Sequence, residues 1–306
     1  MSSGGPIISL LPAATEIVAV LGAWDRLAGV THACDFPPGA LQLPRVTTTR
    51  IDSGATAAAI DRQVQAAAAS GEAVFVLDEA RLRALQPTIL VTQGLCEVCA
   101  VAEGAVARVA ASLDPPARVV TLGAGTLDEV LAAIQALAHA LGADDEGQEL
   151  VAGLRARMRR VHETLKAARA PRPRVAVIEW TDPVFPAGHW VPDMVRRAGG
   201  IDVLARPGEH SRPTSIASVR DADPDVIVFA PCGYPLDRGV AEARRTMARE
   251  EWAWARTRRV VVMDGNAFTS RPGPRLVDGI EVMARLLNPE CFSPLLEGRG
   301  EVLTSR

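Results

Sequence analysis

The chain has 306 residues, 48% of them hydrophobic and 23% charged, with a net charge of −3, so one or two domains with ample buried cores are expected. Lysine and arginine are scattered rather than striped, which excludes a nucleic-acid backbone or an anionic membrane surface as the natural partner. No segment reaches the roughly 18 uninterrupted apolar residues of a membrane span, and the opening MSSGGPIISLLPAATEI lacks the flank, core and cleavage site of an export signal. A soluble, cytoplasmic monomer is therefore expected, and an extracytoplasmic one only if the true start lies upstream.

In chain order, apolar runs of strand length alternate with segments of helical period. Strands are expected at 7–11, 27–31, 74–77, 88–92 and 118–122. Between them, Pro12 opens a helix, a position where its missing N–H costs nothing, and a second helix, 57–70, stops just before Gly71. From 145 to 170 the pattern becomes one long helix. Leu150, Leu154, Met158, Val161 and Leu165 form its stripe, with acidic residues at the start and basic ones at the end, as the helix dipole favours. PRPR at 171–174 ends it. A second α/β set follows, with strands at 174–180, 225–230 and 258–264 and helices at 190–198, 214–222 and 273–287. The expected fold is α/β: two lobes with parallel sheets (6–144 and 171–290) joined by one backbone helix (145–170), with a ligand cleft between them.

In open α/β sheets ligands bind beyond the carboxyl ends of the strands. The residues placed there are His32, Cys34 and Asp35 after 27–31, and Gln93, Cys96, Glu97 and Cys99 after 88–92. After 174–180 come Glu179, Trp180, Phe185, His189 and Trp190; after 225–230, Cys232 and Tyr234; and after 258–264, Asn266, Phe268, Arg271 and Arg275. Aromatic residues are only 4% of the chain, yet five of them fall in these loops, where flat rings can stack on a flat or macrocyclic ligand. For Trp180 and Phe185, packing alone is an equal reading. His139 and His162 fall on helices, in ordinary surface positions. Glu16 serves the first turn of its helix.

IISLLPAATEIVAVLGAWDRLAGVTHACDFPP, DADPDVIVFAPCG and GPRLVDGIEVMARLL resemble the iron-siderophore and vitamin B12 substrate-binding proteins of ABC importers. The resemblance runs from about Pro6 to Pro289. LCEVCAV, GHWVPDMVRRAGG and DGNAFTSRPGPRLVDG are similar to a signal-less subgroup described as cobalamin-binding. The resemblance implies a cleft that holds cobalamin or another metal chelate. It also implies ligand contacts from Pro12 and Ala13, from aromatic residues of both lobes, and from Phe268 and Arg271. In those receptors one glutamate on each lobe docks onto the transporter. The matching stretches DSGATAAAID and TSIASVRDADPD have none, which counts against importer docking.

Cys96 and Cys99 leave three readings open. A structural zinc or iron site needs more ligands, which Cys34 and His32, or His189 and Cys232, would have to supply. A redox pair at a helix start would have a lowered thiolate pKa, and two buried cysteines would simply pack. His189, in a Gly- and Pro-punctuated loop, is a candidate ligand contact able to reach a metal. Two functions follow. The first is a binding protein for a corrinoid or other metal chelate. The alternative is a cytoplasmic metal- or thiol-dependent enzyme or sensor that uses Cys96, Cys99 and His189 on the same scaffold. No phosphate-binding loop of the G-x-x-x-x-G-K-[ST] type occurs, so the chain is not itself an ATPase.

Overall fold

The computed structural model describes residues 4–94 and 103–304, so Cys96 and Cys99 lie outside the described residues. The chain divides into two compact units: 1–124 with 129–152, and 125–128 with 153–306.

In the first unit the strands are β1 (Ile7–Ser9), β2 (Leu27–Val30), β3 (Thr47–Thr49), β4 (Phe75–Leu77), β5 (Ile89–Gln93) and β6 (Arg118–Leu122). The helices are α1 (Pro12–Val20), α2 (Ala57–Ser70), α3 (Glu79–Ala84) and α4 (Glu103–Ala111), followed by α5 (Leu127–Leu141) and α6 (Asp144–Ala167), which the two units share. β2, β1, β5 and β6 form a parallel sheet in that order. Their apolar runs are continuous because helices cover such a sheet on both faces. Ile8, Leu10, Leu82, Leu90, Val106 and Val109 build the core. The 74–77 strand was expected in this sheet. Instead it pairs antiparallel with β3 in a separate two-stranded ribbon, and all three of its residues are only half-buried.

Local signals set the helix ends. Pro12 occupies the first turn of α1, and the Thr56 hydroxyl accepts the Ala59 N–H at the start of α2. Gly71 closes α2 in the left-handed region at φ +69°. The stripe of α6 runs through Val151, Leu154, Met158, Val161 and Leu165, all buried, with Leu150 at its margin. At Gly147 an added Cβ would sit 2.4 Å from the Cβ of Ala138, so glycine lets α5 and α6 approach closely.

In the second unit the strands are β7 (Arg174–Thr181), β8 (Val184–Pro186), β9 (Ile201–Asp202), β10 (Val226–Phe229), β11 (Arg259–Met263) and β12 (Gly300–Thr304). The helices are α7 (Val191–Arg197), α8 (Ile216–Asp221), α9 (Leu236–Ala248), α10 (Gly265–Phe268) and α11 (Arg275–Leu287). The sheet order is β12-β11-β10-β7-β8, with β9 also paired to β7. β7, β10 and β11 are parallel, whereas β8 and β12 run antiparallel. Ile178, Ile227, Phe229, Trp252, Val260 and Val262 fill one core. This sheet is mixed rather than purely parallel, and it takes in residues 300–304, past the expected lobe end at 290. The Arg157 guanidinium ties α6 to α11: two bonds of 2.9 Å go to the Glu281 carboxylate, and another goes to Asp278. Among the described residues no helix is long and apolar enough to cross a membrane.

Candidate ligand-binding site

In the first unit, β1 ends at Ser9 and α1 begins at Pro12, so the turn is short and its polar groups are satisfied locally. The Ser9 hydroxyl donates to the Leu11 carbonyl (2.8 Å), and Thr15 donates to Ser9 (2.8 Å). Pro12 is half-buried and Ala13 buried at this turn. After β2, the Cys34 thiol is 1% exposed and lies 3.1 Å from the Thr15 hydroxyl and 3.3 Å from that of Thr31. Arg45 donates to the carbonyls of Thr31 (2.6 Å) and Cys34 (2.7 Å), closing the loop. His32 sits beside it, with Nδ1 2.8 Å from the Thr47 hydroxyl and its ring 5.2 Å from that of Phe75. Burial, and then the Arg45 charge, lower its pKa, so the imidazole is neutral.

The expectation that Cys34 ligates a metal therefore meets a thiol packed between hydroxyls. Among the described residues no group of three His, Cys, Asp or Glu side chains is placed to hold an ion.

In the second unit the carboxyl ends of β7, β10 and β11 are stitched together by backbone. Cys232 N–H donates to the Glu179 carbonyl (2.9 Å), Asn266 N–H to that of Tyr234 (3.0 Å), and Gly233 N–H to the Ser270 hydroxyl (3.2 Å). Gly265 permits this: a Cβ there would lie 2.1 Å from the Pro231 carbonyl oxygen. Asp264 caps α10 by accepting the Ala267 N–H at 2.7 Å, and burial raises its pKa against those bonds and the nearby Arg275 and Arg271 charges.

On this platform Trp180 faces Phe185 across the β7–β8 hairpin, both half-buried. Trp180 also meets Tyr234 edge to face, with ring centres 5.6 Å apart. Tyr234 is 3% exposed, and the Arg238 guanidinium lies 3.7 Å from its ring centre. Behind the hairpin, Thr181 donates to the buried Glu242 carboxylate (2.5 Å), which also pairs with Arg245 (2.6 Å).

Four expected contact residues are largely covered. Trp190 is 6% exposed and donates its indole N–H to the Thr269 carbonyl (2.8 Å), so it anchors the loop. Arg271 is 5% exposed and donates to the Asn266 side-chain oxygen (2.7 Å). Phe268 and Ala13 are buried. Trp190, Phe268 and Arg271 follow strand ends as their sequence positions suggest, but the sequence carries no signal of how far each is covered.

His189 adopts φ +54°, left-handed for a non-glycine residue. Its N–H donates to the Glu209 carbonyl (2.7 Å), and its carbonyl accepts from Gly208 (2.9 Å). Burial, and then His210, lower its pKa. The sequence carries no period that marks His210 or Arg238. Arg238 sits four residues after Tyr234 at a helix start, the one signal that could have found it. Surface hollows of about 470 Å³ (Arg244, Met247, Arg256, Leu303) and about 500 Å³ (Leu43, Arg45, Arg81, Leu85) lie elsewhere, in the second and first unit respectively.

Residues 7–267 match the model of a family described as periplasmic binding protein. The vitamin B12-binding protein of Vibrio cholerae serotype O1 is 24% identical over 282 residues, which cover 92% of this chain and 88% of that one. Among solved structures, a periplasmic heme-binding protein from Pseudomonas aeruginosa aligns with a TM-score of 0.73 at 23% identity over 99% of both chains. The periplasmic vitamin B12-binding protein of Vibrio cholerae aligns with a TM-score of 0.65 at 21% identity over 93% of this chain and 96% of that one. At such identities the structural likeness is one of fold.

Proposed function

The chain belongs to the periplasmic binding protein family, and from that premise we propose that it binds a metal-bearing tetrapyrrole of the corrinoid class. The observation that carries this reading is the half-buried Trp180–Phe185 pair, backed edge-on by Tyr234 at the carboxyl ends of the second sheet. A large, flat, mostly apolar ring needs flat apolar faces held rigid before it arrives, and the stitched loops supply that rigidity. The names of the relatives, vitamin B12-binding and heme-binding, support the same ligand class. In this reading the metal enters as part of the ligand, and no resident zinc or iron is invoked.

The test is titration of the purified chain with aquocobalamin, cyanocobalamin and hemin, followed by the ligand's absorption bands and by quenching of tryptophan fluorescence. Saturable 1:1 binding of a cobalamin is expected. Saturation by hemin alone would replace the corrinoid by a porphyrin, and no saturation with any of the three would overturn the reading.

A further inference from the structure

The second unit holds two imidazoles against each other. The rings of His189 and His210 lie 4.9 Å apart between centres, with planes at 86°. Two imidazoles that share one metal ion at about 2.0–2.1 Å per nitrogen have ring centres roughly 4.5–5.5 Å apart, so an ion could be shared here with little movement of the two ring centres. The Nδ1 of His189 is shut off from solvent and has no hydrogen-bond partner. A buried ring nitrogen is normally satisfied, so in the tautomer protonated at Nε2 its lone pair is available to a ligand.

The backbones that carry the two rings are locked to each other. His189 exchanges hydrogen bonds with Glu209 and Gly208, and the Gly188 N–H donates to the Ser211 hydroxyl at 2.9 Å. At Gly188 a Cβ would come within 2.5 Å of the Glu209 carbonyl oxygen, so only glycine allows the two segments to approach this closely. The left-handed backbone at His189, costly for a residue with a side chain, is held by these bonds and fixes the direction in which its ring leaves the chain.

We propose that His189 and His210 form a two-imidazole site for a borderline divalent transition ion, with copper(II) held most tightly, and with the remaining coordination positions open to water or an exogenous donor. The site does not depend on the tetrapyrrole reading.

The experiment is titration of the full chain, its accessible thiols alkylated, with copper(II) sulfate alone at pH 7.5, read by calorimetry and electron paramagnetic resonance. One equivalent per chain is expected, with splitting from two imidazole nitrogens. His210 is exposed, so His210→Ala leaves the fold intact, weakens uptake at least tenfold and removes one nitrogen from the spectrum. His139→Ala, which alters an exposed imidazole on the other unit, leaves uptake unchanged. Absence of stoichiometric uptake, or equal affinity in the His210→Ala chain, would overturn the proposal. Corrinoid titration of the same variant keeps the two readings apart, since it is expected to match the parent chain.

Discussion

Trp180 and Tyr234 meet edge to face at 5.6 Å with ring planes at 70°, although one lies on β7 and the other follows β10. That contact carries the orientation of the strand-end aromatics from one loop to the next. Trp180→Ala removes both the flat face and its backing contact. An affinity loss of roughly tenfold or more, about 1.4 kcal/mol, is expected for the proposed tetrapyrrole ligand. Trp180→Phe retains part of it. Equal dissociation constants for parent and Trp180→Ala chains in an absorbance titration would refute this.

Gly265→Ala tests the stitching of the loops. A Cβ 2.1 Å from the Pro231 carbonyl oxygen forces the loops after β10 and β11 apart. Overpacking of this kind costs about 1–3 kcal/mol. Urea denaturation is expected to show that loss together with weaker ligand binding, whereas a change in stability with unaltered affinity would mean the loops do not position the site.

The Arg157 cluster concerns stability alone. Its guanidinium and both carboxylates are about three-quarters covered, so Arg157→Met is expected to cost about 1–2 kcal/mol, between the values for exposed and buried pairs. Burial alone would raise the pKa of Glu281, but the Arg157 hydrogen bonds and charge outweigh it and hold the value below 4.5. The stabilisation is therefore present above pH 4.5 and is lost as pH falls through the folded-state value. Arg157→Met chains should consequently show a shallower loss of thermal stability in acid.

Asp202 gives the opposite sign. Burial pushes its pKa up to about 6, against the N–H groups of Leu204 and Ala205, which both donate to one of its oxygens at 2.9 Å. A carboxyl whose folded value exceeds its unfolded one binds its proton more tightly when folded. Its contribution is complete below pH 3.8 and is lost as pH rises to about 6. The expected loss is of order 3 kcal/mol, and Asp202→Asn should remove that dependence from the pH profile of the denaturation midpoint. A profile unchanged by the substitution would contradict it.

The fold was legible wherever burial was two-sided. β7, β10 and β11 read as continuous Val- and Ile-rich runs because neighbours or helices cover them on every side, and α6 reads from its stripe of large residues. α9 escaped because the residues it buries, Gly239, Val240, Glu242, Ala243 and Thr246, keep helical spacing but are small or polar, so no run of large apolar residues marks it. β12 escaped because five residues with a mixed pattern cannot declare a strand until β11 pairs with them. At the site, strand ends could be located by pattern, which brought out Trp180, Phe185 and Tyr234. His210 could not be located this way: the contact to His189 spans 21 positions, and the charged loop that carries it has no period.

Of the crossings between the two compact units, the one at Ala152/Gly153 falls within the unbroken helix Asp144–Ala167. Most multi-unit proteins offer a protease an extended linker, and a molecular biologist a natural place to cut. Here the peptide bonds at the boundary are sequestered in helical hydrogen bonding, so limited digestion should nick exposed loops before it frees either half. A gene truncated at that point would give each fragment a severed helix with unsatisfied carbonyls or amides.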